Sequence, residues 1–304
     1  MMAMGMVSLA SAEAAPIKVG VCIYKYDDNF MTLYRQELQS YLESKGCAVT
    51  VVDGKNDQAE QTNQINAFIA EKVDVLIINL VQSTSAASVI ELVKAAGIPT
   101  VLINRQPADE DLALWDKVCY VGADARQSGT FQGEIILETP NKGDFDGNGT
   151  VDYVMVVGDP ENIDAQYRTE FSIKALTDGG MKVNKLFEQR GDWDQAKGQE
   201  IAANALAQFG ASIDVIFCNN DGMALGALQS IKAAGRTVGK DIYLVGVDAL
   251  PEVVELVNAG EMTGTVLNDH VSQSHKAADV ALEIVGGATP EKVYMVDYTK
   301  VVKK

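Results

Sequence analysis

The run Lys18-Val19-Gly20-Val21-Cys22-Ile23-Tyr24, taken together with the residues as far as Asp53, decides the fold class. Its apolar residues are continuous rather than alternating, the pattern of a parallel strand buried on both faces. Phe30, Tyr34, Leu38, Tyr41 and Leu42 then recur at helical spacing and mark one apolar face. Gly46 ends that helix as a C-terminal cap. Val49–Asp53 opens a second apolar run. Strand, helix and strand make one βαβ unit.

The unit repeats. Val73–Asn79, Pro99–Asn104 and Val118–Gly122 read as further strands, with helices ending at Ala70–Lys72 and Ala95–Gly97. The pattern then restarts. Tyr153–Val157, Val183–Glu188, Asp214–Cys218, Tyr243–Val247 and Met262–Val266 read as a second strand set. Helices are predicted around Asp164–Leu176, Gln195–Phe209, Gly222–Ala234, Pro251–Ala259 and Gln273–Val285. Two successive arrays predict an α/β protein of two doubly wound parallel-sheet lobes, broken near Tyr120–Ala125.

The 304 residues are enough for two such domains, and 47 % hydrophobic residues can fill their cores. A net charge of -17 argues against a sequence-independent grip on nucleic acid or anionic lipid. No apolar run reaches the ~18 residues of a membrane-spanning helix. Met1 to Ala12 is uncharged and ends in Ala10-Ser11-Ala12, like the tail of an export signal before its cleavage site. Export to the periplasm is expected; a Met-rich terminus of a cytosolic protein is the alternative. Cys22, Cys47, Cys119 and Cys218 match no zinc spacing and read as small core residues, with a disulfide left open.

The ends of the strands carry amides and carboxylates: Asp28, Asn104, Asn220 with Asp221, Asp248, and Asn268 with Asp269. Ligands of doubly wound folds sit at those ends. Asp accepts hydrogen bonds and Asn does both, so the set suits a polyol, whose hydroxyls also do both. Helix capping favours the same residues after strands, and each position alone reads at least as well as a cap. Repetition in both halves points to a site.

Phe30 and Trp193 are its aromatic candidates. Aromatic faces stack on the C–H faces of sugar rings. Trp193 lies in the polar stretch Arg190-Gly191-Asp192-Trp193-Asp194, and Phe30 opens an amphipathic helix and reads equally as core. Trp115 is given no role.

Asp144-Phe145-Asp146-Gly147-Asn148-Gly149-Thr150-Val151-Asp152 matches an EF-hand calcium loop at positions 1, 3, 5, 6 and 9. Thr150 would offer its carbonyl at position 7. Position 12 is Met155, so a carboxylate must come from elsewhere. A solvated acidic turn is the alternative. Asn148-Gly149-Thr150 is also a formal glycosylation sequon. Catalytic signals are weak: the histidines are His270 and His275, and neither a nucleophile elbow nor a phosphate loop appears. The acids lie among amides, which suits reversible binding better than a glycosidase.

At Tyr24-Lys25-Tyr26-Asp27-Asp28-Asn29-Phe30 the sequence resembles the galactose/glucose-binding group of type I periplasmic binding proteins. The likeness recurs in register at Ile78-Asn79-Leu80-Val81, Asn219-Asn220-Asp221 with Met223-Ala224, Gly246-Val247-Asp248-Ala249-Leu250-Pro251-Glu252 and Gly264-Thr265-Val266-Leu267-Asn268-Asp269. It covers nearly everything from Ile17 onward.

The resemblance implies two lobes joined by three hinge segments. Residues 16–123 and 269–291 would form the first lobe, and 124–268 with 292–304 the second, after an export-signal remnant at 1–12. D-galactose or D-glucose would be held by Asp28 and Asn104 from the first lobe and by Asn162, Asp164, Arg168, Asn220, Asp248 and Asn268 from the second lobe and hinge. Phe30 and Trp193 would sandwich the ring. Ca2+ would be held by Asp144, Asp146, Asn148, Thr150 and Asp152, with Asp214 as the distant carboxylate.

The family has His where this chain has Asn162, and usually Glu where it has Asp214. The implied partners are the membrane permease of an ABC transporter and a chemoreceptor. A monomer without enzymatic activity is expected. Ribose or xylose is the alternative ligand within the class. A sugar-responsive regulator would need a DNA-binding domain, for which no room precedes Ile17.

Overall fold

The computed structural model describes residues 15–303. In the first part of the chain, strands and helices alternate: β1 (Lys18–Ile23), α1 (Asn29–Ser44), β2 (Ala48–Asp53), α2 (Gln58–Glu71), β3 (Val75–Ile78), α3 (Ala86–Ala96), β4 (Thr100–Ile103), the short α4 (Asp109–Leu112) and β5 (Val118–Gly122). The second part repeats the alternation: α5 (Ala125–Leu137), β6 (Thr150–Val157), α6 (Ile163–Asp178), β7 (Lys182–Arg190), α7 (Gln195–Phe209), β8 (Val215–Cys218), α8 (Asp221–Ala233), β9 (Tyr243–Val245), α9 (Pro251–Ala259) and β10 (Gly264–Leu267). The chain ends with α10 (His270–Val285), β11 (Val293–Met295) and β12 (Thr299–Val302).

Two six-stranded sheets result, β2-β1-β3-β4-β5-β11 and β7-β6-β8-β9-β10-β12. Their orders correspond strand for strand. All pairs are parallel except β10 with β12. Central strands β3, β4, β5 and β8 are buried along their whole length, as continuous apolar runs require. In each sheet the order reverses beside the first strand, at β1/β3 and at β6/β8, and the crevice outside those strand ends is where such folds hold ligands.

The chain passes between sheets three times: after β5, after β10, and between β11 and β12. The third passage differs from the expectation that 292–304 all belong to the second lobe. Val293–Met295 pairs with Tyr120–Gly122 of β5 and so completes the first sheet. That pairing covers an edge β5 would otherwise leave open. The passage itself is at residues 296–298.

The sequence pattern does not announce helix α5. Gly129 and Gly133 interrupt its apolar pattern because α6 packs against it there; a Cβ on Gly133 would lie 2.4 Å from the Ser172 carbonyl oxygen. The four cysteines are free, and burial pushes the Cys22 and Cys119 thiols up to about 12. Among the described residues no helix is long and apolar enough to cross a membrane. The expected export remnant at 1–12 lies outside the described residues.

Candidate ligand site between the lobes

All ten residues expected at a sugar site line one cavity of about 350 Å³ between the two sheets. Asp28 and Asn104 enter from the loops after β1 and β4, and Phe30 from the first turn of α1. Asn162, Asp164 and Arg168 come from the start of α6, Trp193 from the loop before α7, and Asn220, Asp248 and Asn268 from the ends of β8, β9 and β10. Tyr24, Met31 and Arg105 complete the lining and stand outside the expected set. Tyr24 lies in the heptapeptide that carries the resemblance, and Arg105 directly follows Asn104, so adjacency is the signal that could have found them.

Capping and cavity lining coincide at several positions. Asp28 Oδ1 accepts the Met31 amide at 2.8 Å, capping α1, while Oδ2 accepts the Tyr24 hydroxyl at 2.6 Å. Asn162 caps α6 through the Asp164 amide, and Asn220 caps α8 through the Met223 amide. Two strand-end acids do not line the cavity. Asp269 caps α10 through the Ser272 amide. Asp221 takes Thr265 Oγ1 at 2.7 Å and the Leu250 amide at 2.9 Å, which anchors the loop that carries Asp248.

That loop is strained. Asp248 and Ala249 have φ of +125° and +53°, and Asn104, Asp192 and Trp193 also have positive φ. Such conformations cost of order 1–3 kcal/mol each and persist where surrounding bonds dictate them. Asn104 is held by Asn79 Nδ2 on its side-chain oxygen and by the Tyr120 hydroxyl on its carbonyl. The Trp193 ring lies on Gly158, where a Cβ would come within 2.3 Å of it. Phe30 meets His270 edge-on, with centroids 6.4 Å apart.

The charges are buried. Arg168 Nη1 donates to the Asn219 carbonyl at 2.8 Å and Nη2 to the Tyr298 hydroxyl at 3.1 Å; its buried Nε–H has no partner among the described residues. Asn268 bridges Asp248 Oδ1 at 3.3 Å and Gln273 Nε2 at 2.6 Å. Burial pushes the Asp164 carboxyl up to about 6, against the pull of Arg168 and Arg105. Asp248 rises well above an ordinary carboxyl for the same reason, opposed by Arg168 and reinforced by Asp221 and Asp28. Carboxylates, amides and guanidinium in one buried space can bind an uncharged molecule rich in hydroxyls.

The 144–152 loop lies away from the cavity. Asp144 accepts the Gly147 and Gly149 amides, Asp146 the Asn148 amide, and Asn148 the Thr150 amide. The 3 % exposed Asp214 takes the Phe145 amide at 3.0 Å and the Asp152 amide at 2.9 Å. Among the described residues no group of three or more His, Cys, Asp or Glu side chains is gathered to hold a metal. The donor chemistry nevertheless fits a hard cation, being all oxygen. Burial raises the Asp214 carboxyl, and Asp146 and Asp152 raise it further, a repulsion that a cation would relieve.

Two matching lobes, three connecting segments and a polar cavity between them define a two-lobed ligand-binding protein. Residues 19–289 match the family model described as "Periplasmic binding protein domain", and the chain belongs to that family. It is 36 % identical to the D-galactose/methyl-galactoside binding periplasmic protein MglB of Haemophilus influenzae, over 92 % of this chain and 85 % of that one. It is 32 % identical to a putative rhizopine-binding protein of Rhizobium meliloti, over 97 % and 93 %. An ABC transporter solute binding protein of Bacillus halodurans with bound myo-inositol superposes with a TM-score of 0.83 at 26 % identity, covering 96 % of each chain.

Proposed function

We propose that the protein is an extracytoplasmic receptor that captures D-galactose or D-glucose between its lobes. It would deliver the sugar to the membrane permease of an ABC transporter and present the closed form to a chemoreceptor. The observation that carries this reading is the convergence of Asp28, Asn104, Asn162, Asp164, Arg168, Asn220, Asp248 and Asn268 with Phe30 and Trp193 on one buried cavity. A pyranose has a hydroxylated rim and apolar faces, which this mixture of groups matches. A sugar lacking one hydroxyl would leave a buried carboxylate or guanidinium unpaired, the source of discrimination. Asn162 offers a shorter reach than the His of the resembling family, so the choice between the two hexoses turns on that position.

The same reading gives the 144–152 loop a structural Ca2+, held by Asp144, Asp146, Asn148, the Thr150 carbonyl, Asp152 and Asp214. Titration calorimetry with galactose, glucose, ribose, xylose and myo-inositol tests the sugar assignment. Saturable micromolar binding of a hexose supports it. Tighter binding of myo-inositol or a pentose would replace galactose and glucose. Sustained turnover of nitrophenyl galactoside or glucoside would overturn the receptor reading altogether.

A further inference from the structure

Arg168 lines the ligand cavity and is 4 % exposed, yet the groups that hold it are not the cavity's carboxylates. Among the described residues its hydrogen bonds go to two neutral oxygens. Nη1 donates to the Asn219 carbonyl at 2.8 Å and Nη2 to the Tyr298 hydroxyl at 3.1 Å. The first anchor follows β8, in the same lobe as Arg168. The second comes from the third passage between the sheets, residues 296–298.

Tyr298 stands outside the cavity lining and is itself 4 % exposed. Its backbone is tied down. The Tyr298 amide donates to Gln127 Oε1 on α5 at 2.7 Å, and the Val296 amide donates to the Gly122 carbonyl at the end of β5 at 2.8 Å. Burial pushes the Tyr298 phenol up to about 12, against the pull of Arg168, so the hydroxyl stays neutral while its oxygen accepts. A guanidinium is planar and carries five N–H donors in a fixed fork. Bonds at two of its nitrogens fix the plane. They thereby aim the remaining donors, including the Nε–H that has no partner among the described residues. With the Asn219 bond alone, the plane would be free to turn.

We propose that Tyr298 is a positioning residue for ligand recognition: its hydroxyl sets the plane of the Arg168 guanidinium and so decides which sugar hydroxyl Arg168 can hold. The proposal rests on reading the cavity as a sugar site. It gives the third connecting segment a part in ligand selection as well as in joining the lobes. A binding group locked in advance by a supporting hydrogen bond loses less freedom when the ligand arrives. A neutral acceptor also holds Arg168 without cancelling its charge.

Calorimetric affinities for D-galactose, D-glucose and the single-deoxy analogue at each ring position should be compared between the unaltered protein and Tyr298→Phe. That variant keeps the buried ring and removes the hydroxyl oxygen. The preferred hexose should bind it about tenfold more weakly, the order expected for one hydrogen bond to a charged group. The loss should not be uniform. For an analogue lacking the hydroxyl that Arg168 holds, it should shrink to about twofold or less, because Arg168 then has nothing to align; for the others it should stay about tenfold. In Arg168→Lys, whose ammonium has no plane to set, Tyr298→Phe should likewise cost about twofold or less. An unchanged hexose affinity, an equal loss for every analogue, or a full loss in the Arg168→Lys background overturns the proposal and leaves Tyr298 as packing in the connecting segment. Failure of the unaltered protein to bind either hexose is distinguishable: it removes the sugar reading, and this proposal with it.

Discussion

A carboxylate or amide has more lone pairs than one helix cap consumes. Asp28 caps α1 with one oxygen, binds Tyr24 with the other and still borders the cavity, so the capping and binding readings of the strand-end residues hold together. Gly158 tests how the Trp193 wall is set. The Trp193 ring occupies the place of its missing side chain, with ring carbons 2.3–2.4 Å from a built Cβ. Gly158→Ala should weaken hexose binding about tenfold, ~1.4 kcal/mol, and Trp193→Ala should do at least as much. In calorimetry the double variant should be no weaker than Trp193→Ala alone, since both act through one ring. Additive losses would show that Gly158 acts elsewhere.

Asp164 gives a pH dependence with a definite sign. Burial between the lobes pushes its carboxyl up to about 6, against roughly 3.9 when exposed. The buried arrangement thus gains from the proton fully below ~3.9 and loses that gain as pH rises through 6. The protonated carboxyl can both donate to and accept from a sugar hydroxyl. Closing from an open, hydrated form should therefore take up a proton between ~3.9 and 6, and affinity should fall as pH rises through 6. Calorimetry in two buffers of different ionisation enthalpy measures the proton, and Asp164→Asn should abolish its uptake near pH 5.5.

At the scale of elements, local signals are legible and distant ones are not. The central strands announce themselves as unbroken apolar runs, and Pro251–Ala259 has the same bounds in sequence and structure. What escapes depends on partners far along the chain. β11 is three partly exposed residues whose pairing is set by β5, in the other half of the chain, so nothing local marks it as a strand. Helix α5 loses its apolar pattern to the glycines that let α6 approach. Tyr24 and Arg105 reach the cavity from positions that spacing alone does not single out.

The 144–152 loop is also an element-scale question, because Asp214 ties its two ends through the Phe145 and Asp152 amides. Asp214→Ala strands two amide donors and should cost about 2–4 kcal/mol, seen as a lower melting temperature even in chelator. Added Ca2+ should raise the melting temperature of the unaltered protein and not that of Asp214→Ala. Identical melts with Ca2+ and with chelator would mean that the amide bonds alone hold the loop.

For the whole molecule, closure without a ligand is an expensive state. Asp28, Asp164, Asp248, Arg105 and Arg168 are each at most 8 % exposed. Withdrawing such charges from water costs several kcal/mol per ion unless partners replace the water. The protein supplies some of those partners, but the Arg168 Nε–H has none among the described residues. Parting the lobes rehydrates the set without breaking either sheet, because only the segments after β5, after β10 and between β11 and β12 need to turn. The unliganded chain should therefore populate an open form, and a bound hexose should shift it to the closed one by replacing the lost water contacts. Small-angle X-ray scattering at pH 7.5 should show a smaller radius of gyration with saturating sugar than without. If calorimetry shows the sugar bound while the scattering curve is unchanged, ligand capture does not need lobe closure, and a permease would have no difference in shape to read.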